Sequence, residues 1–146
     1  MSTATVLLIS AQSADKARLA EALGAIRGQP YRLEVTSTLA DALNRVRHGR
    51  IDAIVLDLAL PDSSGLTTFL RLQPKATNVP IIVLIGPDEE ELGGDAVGRG
   101  ALDYLVRDHL SATLVERVLR YATERTHTML ALKASEQRYR ELFQNV

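Results

Sequence analysis

Cysteine and tryptophan are absent from this 146-residue sequence, and aromatic residues make up only 4% of it. Without cysteine there is no disulfide and no thiolate metal site, which fits a reducing, cytoplasmic setting. Without tryptophan the core must be aliphatic. No apolar run approaches the roughly 20 residues that span a bilayer. No basic region precedes the first apolar run, so a signal peptide is not expected. The net charge is only −1, which gives no pull toward nucleic acid or a membrane surface. The segment after the first apolar run, Ser10-Ala-Gln-Ser-Ala-Asp, has no glycine, so the phosphate-cradling loop of nucleotide-binding folds is missing. His48, His109 and His127 fall in three separate elements without metal-ligand spacing and read as surface residues.

What is present centres on residues 51–65, Ile-Asp-Ala-Ile-Val-Leu-Asp-Leu-Ala-Leu-Pro-Asp-Ser-Ser-Gly. Apart from Asp52, Ile51 to Leu56 is apolar and enriched in Ile and Val, as a strand buried on both faces would be. Asp57 ends the run. A carboxylate is costly to bury, so it should stand where the strand leaves the core. Pro61 and Gly65 mark a loop, and Ser63 or Ser64 is placed to cap the next helix. Asp52 and Asp62 suit strand-start and loop geometry.

The rest of the chain repeats this strand-then-helix pattern. Thr5 to Ile9 reads as a strand. A helix follows from about Ala14 to Ile26, with Ser13 as N-cap and Leu19, Leu23 and Ile26 on one face. Leu33 to Thr36 is a short strand. Ser37 or Thr38 caps a second helix with the stripe Leu39, Leu43, Val46. A third helix runs from about Ser64 to Leu72. Ile81 to Ile85 and Leu102 to Val106 are the fourth and fifth strands. Between them, a helix starting near Asp88 carries Gly93, Gly94 and Gly98. Each glycine costs on the order of 1 kcal/mol relative to alanine inside a helix, so this one should be short or frayed. Ser111 caps the last helix.

Five alternations predict an α/β fold, an open parallel sheet between two helical layers. The flavodoxin-like (βα)5 three-layer sandwich, strand order 2-1-3-4-5, brings the ends of strands one, three and five together. No Pro or Gly occurs from Ser111 to Phe143, so the C-terminal helix is expected to extend beyond the domain. The series Val115, Ala122, Met129, Glu136, Phe143 and Val118, Arg125, Leu132, Tyr139, Val146 form a heptad pattern broken by Arg125 and Glu136. A homodimer through this helix is expected.

The pieces Ile54-Val-Leu-Asp-Leu-Ala-Leu-Pro-Asp-Ser-Ser-Gly-Leu, Val79-Pro-Ile-Ile-Val-Leu and Gly100-Ala-Leu-Asp-Tyr-Leu-Val-Arg-Asp-His-Leu resemble the receiver domains of two-component response regulators. The resemblance covers about Thr5 to Thr123. The end, Ser135-Glu-Gln-Arg-Tyr-Arg-Glu-Leu-Phe-Gln-Asn-Val, resembles the lead-in to a PAS sensor domain. The implied organisation is a receiver domain over 1–124 and a linker or signalling helix over 125–146 that enters a PAS domain of a longer protein.

By this resemblance Asp57 is the phosphoacceptor position and Tyr104 the aromatic switch position. The family surrounds its aspartate with an acidic pair that helps hold Mg²⁺, a Thr or Ser, and a Lys. Here those places hold Ser10 and Ala11, Ile85, and Arg107, and Asp108 stands where proline usually follows the lysine. Asp57 and the carbonyl of Ala59 are weak metal candidates, so Mg²⁺ is expected only if Asp57 is phosphorylated, and otherwise no cofactor. Arg107 is placed to pair bidentately with Asp57 as a permanent ion pair. Asp15 could stand in for the acidic pair only if the loop after the first strand folded back, and it is left outside the site. The reading is a non-enzymatic signalling module, a pseudo-receiver working without phosphorylation. Its partners would be a histidine kinase or an output domain in the same chain. Alternatives are a receiver phosphorylated at Asp57 and, in another class, a flavodoxin-like ligand-binding or enzymatic domain.

Overall fold

Strand residues alternate between two faces, and each of the two apolar clusters takes every second one. The computed structural model describes residues 2–124, together with Leu132 and Glu136. Its strands are β1 (Ala4–Ile9), β2 (Tyr31–Thr36), β3 (Ala53–Asp57), β4 (Ala59–Leu60), β5 (Ser63–Ser64), β6 (Ile81–Ile85) and β7 (Asp103–Val106). Its helices are α1 (Ser13–Gly24), α2 (Leu39–Arg47), α3 (Leu66–Leu72), α4 (Glu90–Gly98) and α5 (112–124 as described). The main sheet is parallel in the order β2-β1-β3-β6-β7. With β4 and β5 set apart as a small hairpin, this is the expected flavodoxin-like 2-1-3-4-5 topology.

On one face Leu7, Ile9, Ile54, Leu56, Val83 and Ile85 pack against α2, α3 and α4 through Leu39, Val46, Phe69, Leu72 and Ala96. On the other, Val6, Leu8, Val55, Ile82, Leu84 and Leu105 meet α1 and α5 through Leu19, Leu23, Val115, Leu119 and Ala122. Such double burial is why β3 and β6 read as uninterrupted apolar runs. The parity also assigns the residues at and just past the strand ends. Ser10, Asp57 and Arg107 continue the series that faces α1 and α5. Ile85 and Tyr104 belong to the series that faces α4.

Several helix starts differ from expectation. Ser13 lies inside α1, whose N-cap is Gln12 without a side-chain cap bond. Ser63 and Ser64 pair with Ala59–Leu60 in the β4–β5 hairpin, so they do not cap α3. The cap there is Gly65 at φ 76°, a conformation that favours glycine. Thr38 does cap α2, accepting from the Asp41 N–H at 3.1 Å, and the Ser111 hydroxyl accepts from Leu114 N–H at 3.2 Å. The expected linker 125–146, with His127 and the heptad positions from Arg125 onward, lies outside the described residues except Leu132 and Glu136, both exposed.

Asp62 ties the loop after β3 to the start of α2. Its carboxylate accepts from the N–H of Leu39 at 2.8 Å and of Ala40 at 3.0 Å. Those backbone donors, Leu39 first, hold its carboxyl below the usual carboxylate range. A carboxyl lowered in the folded state adds stability above its unfolded pKa, and loses it as pH falls through the folded value. The stability difference between wild type and Asp62→Ala is therefore expected to be constant above about pH 5 and to close below about pH 4. Urea unfolding of both proteins across that range checks this, and a difference that stays constant into strong acid would contradict it.

Candidate functional site

The carboxyl ends of β1, β3 and β7 meet where the register aligns Ile9 with Leu56 and brings Asp57 beside Leu84. Asp57 is 1% exposed. An isolated ionised carboxylate would not tolerate that burial, so its partners decide what the site is. Arg107 supplies the charge: its Nη2 lies 2.9 Å from Asp57 Oδ1. The same oxygen accepts from the Ala59 N–H at 3.0 Å. Asp57 Oδ2 is more loosely held, 3.5 Å from both Ser10 Oγ and Gln12 Nε2.

The expected contact between Arg107 and Asp57 is present, but it is not bidentate. The second terminal nitrogen of the guanidinium, Nη1, goes to Asp15 Oδ2 at 3.1 Å. Asp15 is fully buried and also accepts from Ser10 Oγ at 2.7 Å. The expectation that Asp15 lies outside the site is thus wrong. The reason is local. Helix α1 starts at Ser13, only three residues after Ser10, so Asp15 in its first turn folds back over the end of β1. A helix N-terminus also favours a negative charge, here by on the order of 1 kcal/mol. Asp15 Oδ1 is buried with no hydrogen-bond partner.

Two carboxylates share one guanidinium, which leaves one negative charge in excess. Arg107 is itself mostly buried, its side chain 13% exposed. Its backbone is steadied from α1, where Arg18 Nη1 donates to the Arg107 carbonyl at 3.2 Å and pairs with Asp108 Oδ1 at 3.2 Å. That outer pair is about half exposed and contributes little on its own. Sequence reasoning missed Arg18, which carries no signal beyond its charge.

Ile85 and Tyr104 sit on the other side of the sheet. Ile85 is fully buried, and the Tyr104 ring packs against the same core cluster. Gly93 of α4 lies directly against them. A Cβ on it would stand 2.8 Å from Tyr104 Cγ and 3.0 Å from Ile85 Cδ1. Ala11 is exposed, as is the backbone corner at Ala59. His48 and His109 are exposed and take no part. A cavity of about 280 Å³ opens at the opposite end of the sheet, beside Tyr31, Glu116 and Arg120, and none of the crevice residues lines it. Burial, and then the neighbouring Glu116, push the Tyr31 hydroxyl up.

The sequence model of the response regulator receiver domain matches residues 6–119. The chain belongs to this receiver family. It is 35% identical over 80 residues to the swarming motility regulation protein RssB of Serratia marcescens, covering 55% of this chain and 36% of that protein. It is 27% identical over 93 residues to the transcriptional regulatory protein ZraR of Escherichia coli K12, covering 61% and 21%. The receiver chain therefore spans well under half the length of these relatives. Among solved structures, the signal receiver domain of an HD domain-containing protein from Pseudomonas fluorescens Pf-5 superposes with a TM-score of 0.75 at 23% identity, covering 88% of this chain and 92% of that one. The receiver domain of a sensor histidine kinase from Pseudomonas aeruginosa PAO1 superposes with a TM-score of 0.68 at 22% identity, covering 84% and 99%.

Both structural likenesses establish the receiver fold. Family membership favours the receiver reading over a flavodoxin-like ligand-binding or enzymatic domain. In the P. aeruginosa protein a magnesium ion is coordinated in the active site cleft. The donors of this receiver do not fit such an ion as they stand. Asp15 and Asp57 are both engaged by the guanidinium, which carries the positive charge itself. Among the described residues, no group of three or more His, Cys, Asp or Glu side chains is arranged to hold a metal. None of the helices described is long and apolar enough to cross a membrane.

Proposed function

We propose that this receiver domain is a non-enzymatic signalling module that works through protein contacts, without phosphoryl transfer at Asp57. One observation carries the reading: the phosphoacceptor position is buried and already paired, Arg107 Nη2 to Asp57 Oδ1 at 2.9 Å. Catalysis of phosphoryl transfer depends on positioning and on neutralising the charge of the phosphoryl oxygens. Ile85 has no hydroxyl to offer them. Arg107 is committed to two carboxylates, and one negative charge remains in excess to repel an incoming phosphoryl group.

In this reading Tyr104 answers to α4 packing, because Ile85 offers its ring only apolar contact. The output leaves through α5 and the residues after it, with 1–124 as the receiver unit and 125–146 as the linker to a PAS domain. Its partners are a histidine kinase or the output domain of the same protein, with a second copy pairing along the last helix. It uses no metal, engages neither nucleic acid nor membrane, and works in the cytoplasm. The test is a titration with Mg²⁺ and beryllofluoride, a mimic of the phosphoryl group. The proposed module does not bind the pair, whereas a receiver phosphorylated at Asp57 does.

A further inference from the structure

We infer that the Arg107 guanidinium occupies a cation's place, and that Asp15 is the carboxylate this chain uses in that place. This deepens the reading above and partly rests on it. The geometry is specific. Two buried carboxylates on different elements, Asp15 in α1 and Asp57 at the end of β3, each turn one oxygen toward the same guanidinium, at 3.1 and 2.9 Å. They are not held together by each other, since two carboxylates brought into one site repel. The positive group between them holds them together, helped by the Ser10 hydroxyl at 2.7 Å from Asp15 Oδ2 and 3.5 Å from Asp57 Oδ2.

Asp15 Oδ1 gives an independent sign. It is a buried anionic oxygen with no hydrogen-bond partner. A planar guanidinium directs its donors along fixed lines and leaves that oxygen unmet. A small cation has no such directionality and can draw oxygens from both carboxylates. One or two carboxylates are what a protein commonly offers Mg²⁺, the rest of the shell being water or carbonyl oxygen. The two carboxylates match that number, and what keeps them from fitting the ion as they stand is the side chain of Arg107. Removing that side chain leaves two buried negative charges facing a void, which is a latent divalent-cation site.

The test is thermal and urea unfolding of wild type, Arg107→Ala, Arg107→Gln and Arg107→Ala with Asp15→Asn, in Mg²⁺ and in Na⁺ at matched ionic strength. Ligand that binds only the folded state raises its stability with concentration. Millimolar Mg²⁺ should raise the midpoint of Arg107→Ala well beyond the Na⁺ control and leave wild type unmoved. If Arg107→Ala is unfolded without metal, Mg²⁺ should restore its folded circular dichroism. Adding Asp15→Asn should weaken the response on the order of tenfold or more, the lower end of which is seen even for outer-shell partners. Absence of any Mg²⁺-specific response in both Arg107→Ala and Arg107→Gln overturns the inference. So does a response that Asp15→Asn leaves intact. A failure confined to these variants leaves the reading of Asp57 as already paired standing. A Mg²⁺ response in wild type would overturn both.

Discussion

Arg107→Ala is expected to destabilise the domain by about 3–5 kcal/mol, the cost of removing one partner from a buried ion pair. The size follows from what is left behind. Asp57 at 1% exposure and Asp15 at 0% would face each other with no positive group between them. Few single substitutions cost this much, and those that do usually strand a buried charge or open a cavity. The companion change behaves differently. Asp57→Asn keeps an acceptor for Arg107 and for the Ala59 N–H, and Arg107 keeps Asp15 as its counter-ion. It also removes the excess negative charge. Its cost is expected to stay within about 1 kcal/mol. Urea unfolding of the two variants beside wild type separates them. Equal losses would mean that the three groups do not share charge as their distances indicate.

Gly93→Ala is expected to destabilise, although helix propensity alone predicts the reverse. Alanine in place of a helical glycine gains about 1 kcal/mol where space allows. At Gly93 it does not, because the added carbon meets Tyr104 Cγ at 2.8 Å. That atom is the inner corner of the ring and cannot swing aside as a chain end can. Overpacking of this kind costs about 1–3 kcal/mol, so the net change is a loss, with the Tyr104 ring displaced from Ile85. Gly94 and Gly98 have nothing within 4 Å of an added carbon. Gly94→Ala should therefore stabilise by up to about 1 kcal/mol. Urea midpoints and NOE contacts between the Tyr104 ring and Ile85 read out both effects. A stabilised Gly93→Ala with unchanged contacts would show that the ring is not seated on that glycine.

The three glycines show how far the sequence could be read. Composition reveals a weak helix and makes all three positions alike. Only the tertiary fold shows that Gly93 is the place where α4 lies against β6 and β7. The sheet order, by contrast, was legible, because strands buried on both faces must be apolar throughout and their spacing allows few crossovers. The serines were not: β4 and β5 form a tight hairpin after Asp57, so Ser63 and Ser64 bond across it and leave the cap to Gly65.

The site was half legible. Asp57 and Arg107 are found by their places at strand ends. Asp15 could have been reached by combining two local facts. Strand parity turns Ser10, Asp57 and Arg107 toward the α1 face, and the first turn of α1 begins three residues past Ser10. Of that turn only Asp15 lies over the crevice, while Ser13, Ala14 and Lys16 are exposed. By sequence alone Asp15 stands about one turn beyond the end of the first strand, and the helix start at Ser13 removes that distance.

The central claim is that Asp57 is already paired inside the folded domain and takes no phosphoryl group. The most direct measurement is the Mg²⁺ and beryllofluoride titration of the wild-type protein, followed by the NMR signals of the Asp57, Ala59, Ile85 and Tyr104 amides and the Arg107 guanidinium. The account predicts that these signals stay where they are at millimolar concentrations of both. Saturable shifts at these positions that disappear in Asp57→Asn would contradict it.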